Sequence, residues 1–190
     1  MITRSRGLLK TALEGLASVN GKVVDEIEKA YYIKLNNIDE LKKASKIERF
    51  HQRSIRHNDV IMRVRKIEPI LNSEIDRTKY ELTIKKKLGT GEAKEYTENT
   101  TVELFDFFGT FAERDEIKDR HYFEVVGTNL VWEVDMFLKN DSAYRYWARA
   151  EIEIPSKGVS LPQLPDIYNE FVSMDDQETL QKMRDDGLIL

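Results

Sequence analysis

Eight successive segments between residues 23 and 154 alternate apolar and polar residues with period two. Side chains two apart share one face of a strand. The alternation therefore predicts about eight strands, over 23–35, 46–55, 60–67, 78–87, 93–98, 117–126, 130–138 and 144–154. His57-Asn58-Asp59, Gly89-Thr90-Gly91, Gly127-Thr128-Asn129 and residues 139–142 supply turns, being rich in residues that accept turn geometry. Pro69 and Pro155 are expected to stop the third and last strands, because proline cannot donate to a ladder. The connections are too short for a regular β-α-β array, and eight strands can close a barrel.

Other stretches keep helical spacing. Residues 37–45 read as a short helix, with Asn37 as N-cap, Glu40 three residues later, and Ile38 and Leu41 as the apolar side. In 100–111, Leu104, Phe107, Phe108 and Phe111 form one stripe behind Thr100 or Thr101 as cap. After a loop marked by Pro162 and Pro165, residues 166–183 are expected to form a C-terminal helix. At the other end, Leu8, Leu9, Ala12, Leu13, Leu16 and Ala17 have helical spacing, interrupted by Lys10 and Glu14. That interruption argues against a secretory h-region. It predicts an amphipathic helix over 1–20 that docks on its own domain or on a twin subunit, leaving a homodimer open, rather than on lipid. Residues 21–190 then read as one domain, in keeping with a length of 190.

Composition removes several function classes. Thirty basic residues face 34 acidic ones, for a net charge of −4, so duplex DNA is not an expected partner. There is no cysteine, which excludes thiol catalysis and cysteine zinc sites and suits a cytoplasmic setting. No eighteen-residue apolar run exists to span a membrane as a helix. The three histidines, His51, His57 and His121, have no metal-ligand spacing, and Gly89-Thr90-Gly91 lacks the lysine and helix of a phosphate loop.

The charges sort by sign along the strands. Glu26 and Glu28 share a face opposite Ile27, Tyr31 and Ile33, and Arg63 and Arg65 share one opposite Met62 and Val64. Thr83, Lys85 and Lys87 align, as do Lys118, Arg120, Tyr122 and Glu124. Glu133 aligns with Asp135, and Arg145, Trp147 and Arg149 align with Glu151 and Glu153. An open sheet with one face in water would also alternate in this way. Like charges side by side repel, however, so solvated strands usually mix signs. If helices coat the outside of a closed sheet, the charged faces line its lumen. Carboxylates are hard oxygen ligands for Mg²⁺ or Mn²⁺, and Arg and Lys clamp phosphate oxygens. Acids on some walls and bases on others suit a polyanion bound with divalent cations.

These residues resemble the CYTH superfamily, the triphosphate tunnel metalloenzymes. Glu26-Ile27-Glu28 resembles the family's N-terminal ExExK signature. The likeness continues in order through Arg63-Val64-Arg65, Leu82-Thr83-Ile84-Lys85, Lys118-Asp119-Arg120, Trp132-Glu133-Val134-Asp135-Met136-Phe137 and Ala150-Glu151-Ile152-Glu153-Ile154. It implies an α+β fold: an antiparallel eight-stranded closed barrel, the tunnel, with helices packed outside. It implies Glu26, Glu28, Asp135, Glu151 and Glu153 as ligands of Mg²⁺ or Mn²⁺. It implies Arg63, Arg65, Lys85 and Arg120 as phosphate binders, joined by Lys118, with Glu133 beside them. Glu28, Asp135 and Glu151 become the catalytic candidates. The chain departs from the pattern at Ala30, where the signature has lysine, and at Ala93, where a basic residue is usual.

The expected function is a divalent-metal-dependent triphosphatase that removes the terminal phosphate of inorganic triphosphate, a nucleoside triphosphate or an RNA 5′-triphosphate end. Two alternatives share the fold: a non-catalytic protein binding a nucleotide or RNA end, and a CYTH-type adenylate cyclase.

Overall fold

The computed structural model describes residues 24–72, 77–89, 91–139, 143–144 and 147–188. The helix expected over 1–20 lies outside the described residues, as do Thr90 and Arg145. The strands are β1 (Val24–Leu35), β2 (Lys46–His57), β3 (Val60–Leu71), β4 (Lys79–Gly89), β5 (Glu92–Asn99), β6 (Arg114–Glu124), β7 (Val131–Lys139), β8 (Ala143–Tyr144), β9 (Trp147–Glu153) and β10 (Tyr168–Ser173). A 3₁₀ turn spans Ile38–Lys43, and the helices are α1 (Val102–Gly109) and α2 (Gln177–Asp185).

Eight of the strands close on themselves. β1 pairs with β5, then the order runs β4, β3, β2, β6 and β7, and β9 joins β7 back to β1. Every pairing in the circuit is antiparallel. Closure satisfies the backbone groups that an open sheet would leave at its edges. β1 is long enough to serve three neighbours. β5 takes its residues Val24 to Ile27, β9 takes Glu28 to Lys34, and β10 takes Tyr31 to Leu35.

The apolar faces point outward and are covered. Ile33, Trp132, Val134, Met136, Ala148 and Ile152 form one buried cluster with Leu41 of the 3₁₀ turn and with Ile154 and Ile167. Trp132 Nε1 donates to Gln163 O at 3.0 Å, which ties the strap after β9 to the barrel. On another side, Phe105 and Phe108 of α1 pack on Ile55, Met62 and Val64. Each such aromatic contributes about 2–3 kcal/mol when removed from water. Leu180 and Met183 of α2 pack instead on Tyr32 and Trp147, which share the inward strand parity of Glu28 and Arg149.

Three expectations need correction. β3 runs through Pro69 to Leu71 instead of stopping there. The β4 ladder ends at Ile67, and the β2 register shifts between Ile47 and Glu48 opposite Pro69, so a missing N–H costs little at that position. The buried stripe of α1 is Phe105 and Phe108, whereas Phe107 is 59% exposed. Finally, 166–183 is not one helix: Tyr168–Ser173 is β10, and only Gln177–Asp185 is helical. The edge of β1 beyond its β5 partner carries backbone groups that need a ladder, and β10 supplies it. Asn37 does cap its 3₁₀ turn, accepting from Asp39 N at 3.0 Å, and Thr101 caps α1.

Candidate functional site

With the apolar faces outside, the charged faces line a lumen of about 430 Å³. Five of its acids cluster on three contiguous strands, Glu26 and Glu28 on β1, Glu151 and Glu153 on β9, and Glu133 on β7, and Glu48, Glu81, Glu95 and Glu116 add carboxylates on β2, β4, β5 and β6. Most of its bases sit on the wall formed by β4, β3, β2 and β6, among them Lys85, Arg63 and Arg65, then Lys118 and Arg120, while Arg149 of β9 stands among the acids. Phe50 and Gln52 of β2 lie between the last two pairs. Of the residues singled out from the sequence, all but Asp135 line this cavity.

Asp135 lies behind the lining, 0% exposed. Its Oδ1 accepts from Arg120 Nε at 2.7 Å and its Oδ2 from Arg120 Nη2 at 2.8 Å, and Lys118 Nζ also donates to Oδ2. Burial alone would raise its pKa, but Arg120 and Lys118 hold it well below the usual carboxylate range. Burial opposes the Arg120 charge too, and Asp135 and Glu133 more than offset it. Lys118, burdened by burial and by Arg120 and Arg65, is pushed down to about 8.

The remaining acids are partly engaged. Lys85 Nζ sits 2.7 Å from Glu26 Oε2 and 2.9 Å from Glu28 Oε2. Arg63 reaches Glu95 of β5 at 3.3 Å. Glu151 pairs with Arg149, whose Nη2 is also 3.9 Å from Glu28 Oε1, and Arg120 Nη2 reaches Glu151 Oε2 at 3.4 Å. Burial would raise the Glu151 pKa, but Arg149, Arg120 and Lys118 together lower it below its ordinary value. Glu28 and Glu153 are cross-strand partners. Glu153 is pushed up to about 7 by burial and by Glu26, Glu133 and Glu95. Burial, opposed by Lys85, also raises Glu26.

This crowding is what a divalent cation relieves. Glu26 disfavours the ionised form of Glu153, and a nearby cation would relieve that cost. Among the described residues no group of three or more His, Cys, Asp or Glu converges as a ready-made metal cage. Mg²⁺ does not need one, since it is commonly held by one or two carboxylates plus substrate phosphates. One or two of the lumen glutamates, such as Glu26, Glu28 or Glu153, would meet that requirement.

Several lining residues had no role assigned from the sequence, among them Arg149, Glu95, Phe50 and Gln52. Arg149 and Glu95 sit in the inward register of β9 and β5, and the period-two count that marks Glu151 marks Arg149 equally. Phe50 and Gln52 had no such signal, because an apolar and an amide side chain in an inward position look like ordinary strand residues.

No protein-family model matches the chain, and no curated protein does. Among solved structures, the inorganic triphosphatase NE1496 aligns at 19% identity and a TM-score of 0.47, covering 81% of this chain and 90% of that one. The PH1819 protein from Pyrococcus horikoshii OT3 aligns at 14% identity and a TM-score of 0.48, covering 83% and 86%. Similarity at this level transfers no activity, and the barrel stands on its own backbone pairings. Among the described residues no helix is long and apolar enough to cross a membrane.

Proposed function

We propose that this chain is a CYTH-type triphosphatase that takes a triphosphate chain into the tunnel and releases its terminal phosphate with the help of Mg²⁺ or Mn²⁺. The observation that carries this reading is a strongly charged lumen in which Glu26, Glu28, Glu133, Glu151 and Glu153 cluster on β1, β7 and β9 while Lys85, Arg63, Arg65, Lys118 and Arg120 cluster on β4, β3 and β6. Arg63, Arg65, Lys85, Lys118 and Arg120 hold phosphate oxygens by charge and, for the arginines, by paired N–H donors. One or two of Glu26, Glu28 and Glu153 would hold the cation, which supplies Lewis-acid stabilisation of the phosphoryl oxygens. Glu28 and Glu151 accept hydrogen bonds from the attacking water and turn it toward the terminal phosphorus. Asp135 acts through Lys118 and Arg120, keeping both charged and fixed.

A second reading has an observation in its favour. Ala30 gives the lumen no cation opposite Glu151, and Glu28 and Glu151 are already paired with protein cations. A protein that binds a nucleotide or RNA 5′ end without turnover fits that neutralised state. One panel separates the readings. Inorganic triphosphate, nucleoside triphosphates and a 5′-triphosphate RNA are incubated with Mg²⁺ or Mn²⁺, and the products are resolved by chromatography. Orthophosphate release supports the triphosphatase, cyclic AMP with pyrophosphate supports a cyclase, and tight binding without products supports the binder.

A further inference from the structure

We infer that Gln52 and Phe50 are positioning residues that hold the Arg65 guanidinium without neutralising it, so that the countercharge of Arg65 must come from the bound polyphosphate. This rests on the reading of the tunnel just given and assigns the division of labour among its cations. The other buried or half-buried lumen cations have carboxylates: Lys85 has Glu26 and Glu28, Arg63 has Glu95, Lys118 and Arg120 share Asp135, Arg149 has Glu151, Lys46 has Glu48 and Lys79 has Glu81, while Lys87 is exposed. Arg65 is only 8% exposed. Among the described residues it forms no ion pair. Its Nε donates to Gln52 Oε1 at 3.0 Å, and its guanidinium stands 5.5 Å from the centre of the Phe50 ring.

The register explains the arrangement. Arg65 of β3, Gln52 of β2 and Glu116 of β6 are direct cross-strand neighbours in one lateral row. The Gln52 amide turns its oxygen to Arg65 and its nitrogen toward Glu116 Oε2, 3.5 Å away. Glu81 of β4, the neighbour of Arg65 on the other side of the row, is paired with Lys79 at 2.6 Å, so neither carboxylate of the row forms an ion pair with the guanidinium. Phe50, two residues earlier on the same face, also lies 5.2 Å from the Arg120 guanidinium and 5.9 Å from Lys118 Nζ. One ring thus floors three cations, and an aromatic face attracts cations without taking up their charge. Burying a charge without a countercharge is costly. Burial, Arg63 and Arg120 accordingly push Arg65 down to about 9, which still leaves it charged at neutral pH. A phosphate oxygen relieves that cost, while a resident carboxylate would compete with it.

The test moves one carboxylate across the row. Gln52→Glu combined with Glu116→Gln leaves the net charge of the lumen unchanged but gives Arg65 a partner. Inorganic triphosphate is titrated by calorimetry into the wild type and this swap, with and without Mg²⁺, and thermal melting is followed in parallel. The swap is expected to melt as high as the wild type or higher and to bind triphosphate about tenfold or more weakly. Phe50→Leu is expected to weaken binding about threefold, with Phe50→Tyr restoring it, because only the latter keeps the ring face. Gln52→Glu alone is read alongside, so the result does not hang on one variant's folding. Either glutamate variant binding triphosphate as tightly as the wild type overturns the inference. A wild type that takes up no triphosphate in either condition defeats the tunnel reading itself, and the two failures differ in whether the unaltered protein binds.

Discussion

Asp135 lies sealed beneath Arg120, its two oxygens accepting from Nε and Nη2 of one guanidinium at 2.7 and 2.8 Å. The pair is cross-strand, Arg120 of β6 directly opposite Asp135 of β7. A buried pair of this kind is weak evidence for net stability, but removing one partner strands the other charge. Asp135→Asn is therefore expected to destabilise the fold by about 3 kcal/mol or more and to weaken triphosphate binding, because Lys118 and Arg120 lose their anchor. Denaturant melts at neutral pH check the first part. The acid side gives a sharper readout. A carboxylate held below its ordinary pKa stabilises the fold above that ordinary value, and the contribution is lost as pH falls through the folded value. Wild-type stability should drop steeply below about pH 4, and Asp135→Asn should flatten that drop. Equal acid slopes for the two proteins would contradict the account.

Glu153 works in the opposite direction. Its folded pKa is pushed up to about 7 by burial and neighbouring acids. A carboxyl raised on folding favours the folded state at low pH, and that advantage is lost as pH rises from its ordinary value through the folded one. In a chelator, the melting temperature should fall between about pH 5 and pH 8. Glu153→Gln should remove most of that fall. A variant with the same pH slope as the wild type would show that the acids do not crowd one another in the lumen.

Gly91 holds β1 and β5 together at the acidic wall. Its φ is +69°, and Glu28 N donates to its carbonyl at 2.8 Å. A Cβ at this position would stand 2.4 Å from Glu28 O. Gly91→Ala is expected to cost about 1–3 kcal/mol and to lower activity further by shifting Glu28. Melting and kinetics on the same preparation test both effects. Full stability in the variant would mean that the backbone relaxes without cost.

Much of the barrel was legible because period two is a local signal. Glu28, Arg65 and Glu151 each declare their inward face through Ile27, Val64 and Ile152, which are partly or wholly buried outside. Features that depend on a distant strand were not legible. Ile167, Tyr168, Phe171 and Val172 have helix-like spacing, and only the unpaired edge of β1 makes β10 a strand. Pro69 reads as a stop until its place beyond the β4 ladder is known. The seclusion of Asp135 was also hidden, since its spacing from Glu133 matches that of two lumen residues, and only Lys118 and Arg120 close over it. Gln52 carries no charge at all, so its place between Arg65 and Glu116 emerges only from the register of three strands.

The tunnel's chemistry meets its most direct test in orthophosphate release from inorganic triphosphate, followed with Mg²⁺, with Mn²⁺ and with chelator, for the wild type and Glu28→Gln. The account predicts release that requires a divalent cation and falls at least about tenfold in the variant. Release that persists in chelator, or a Glu28→Gln protein as active as the wild type, would contradict it.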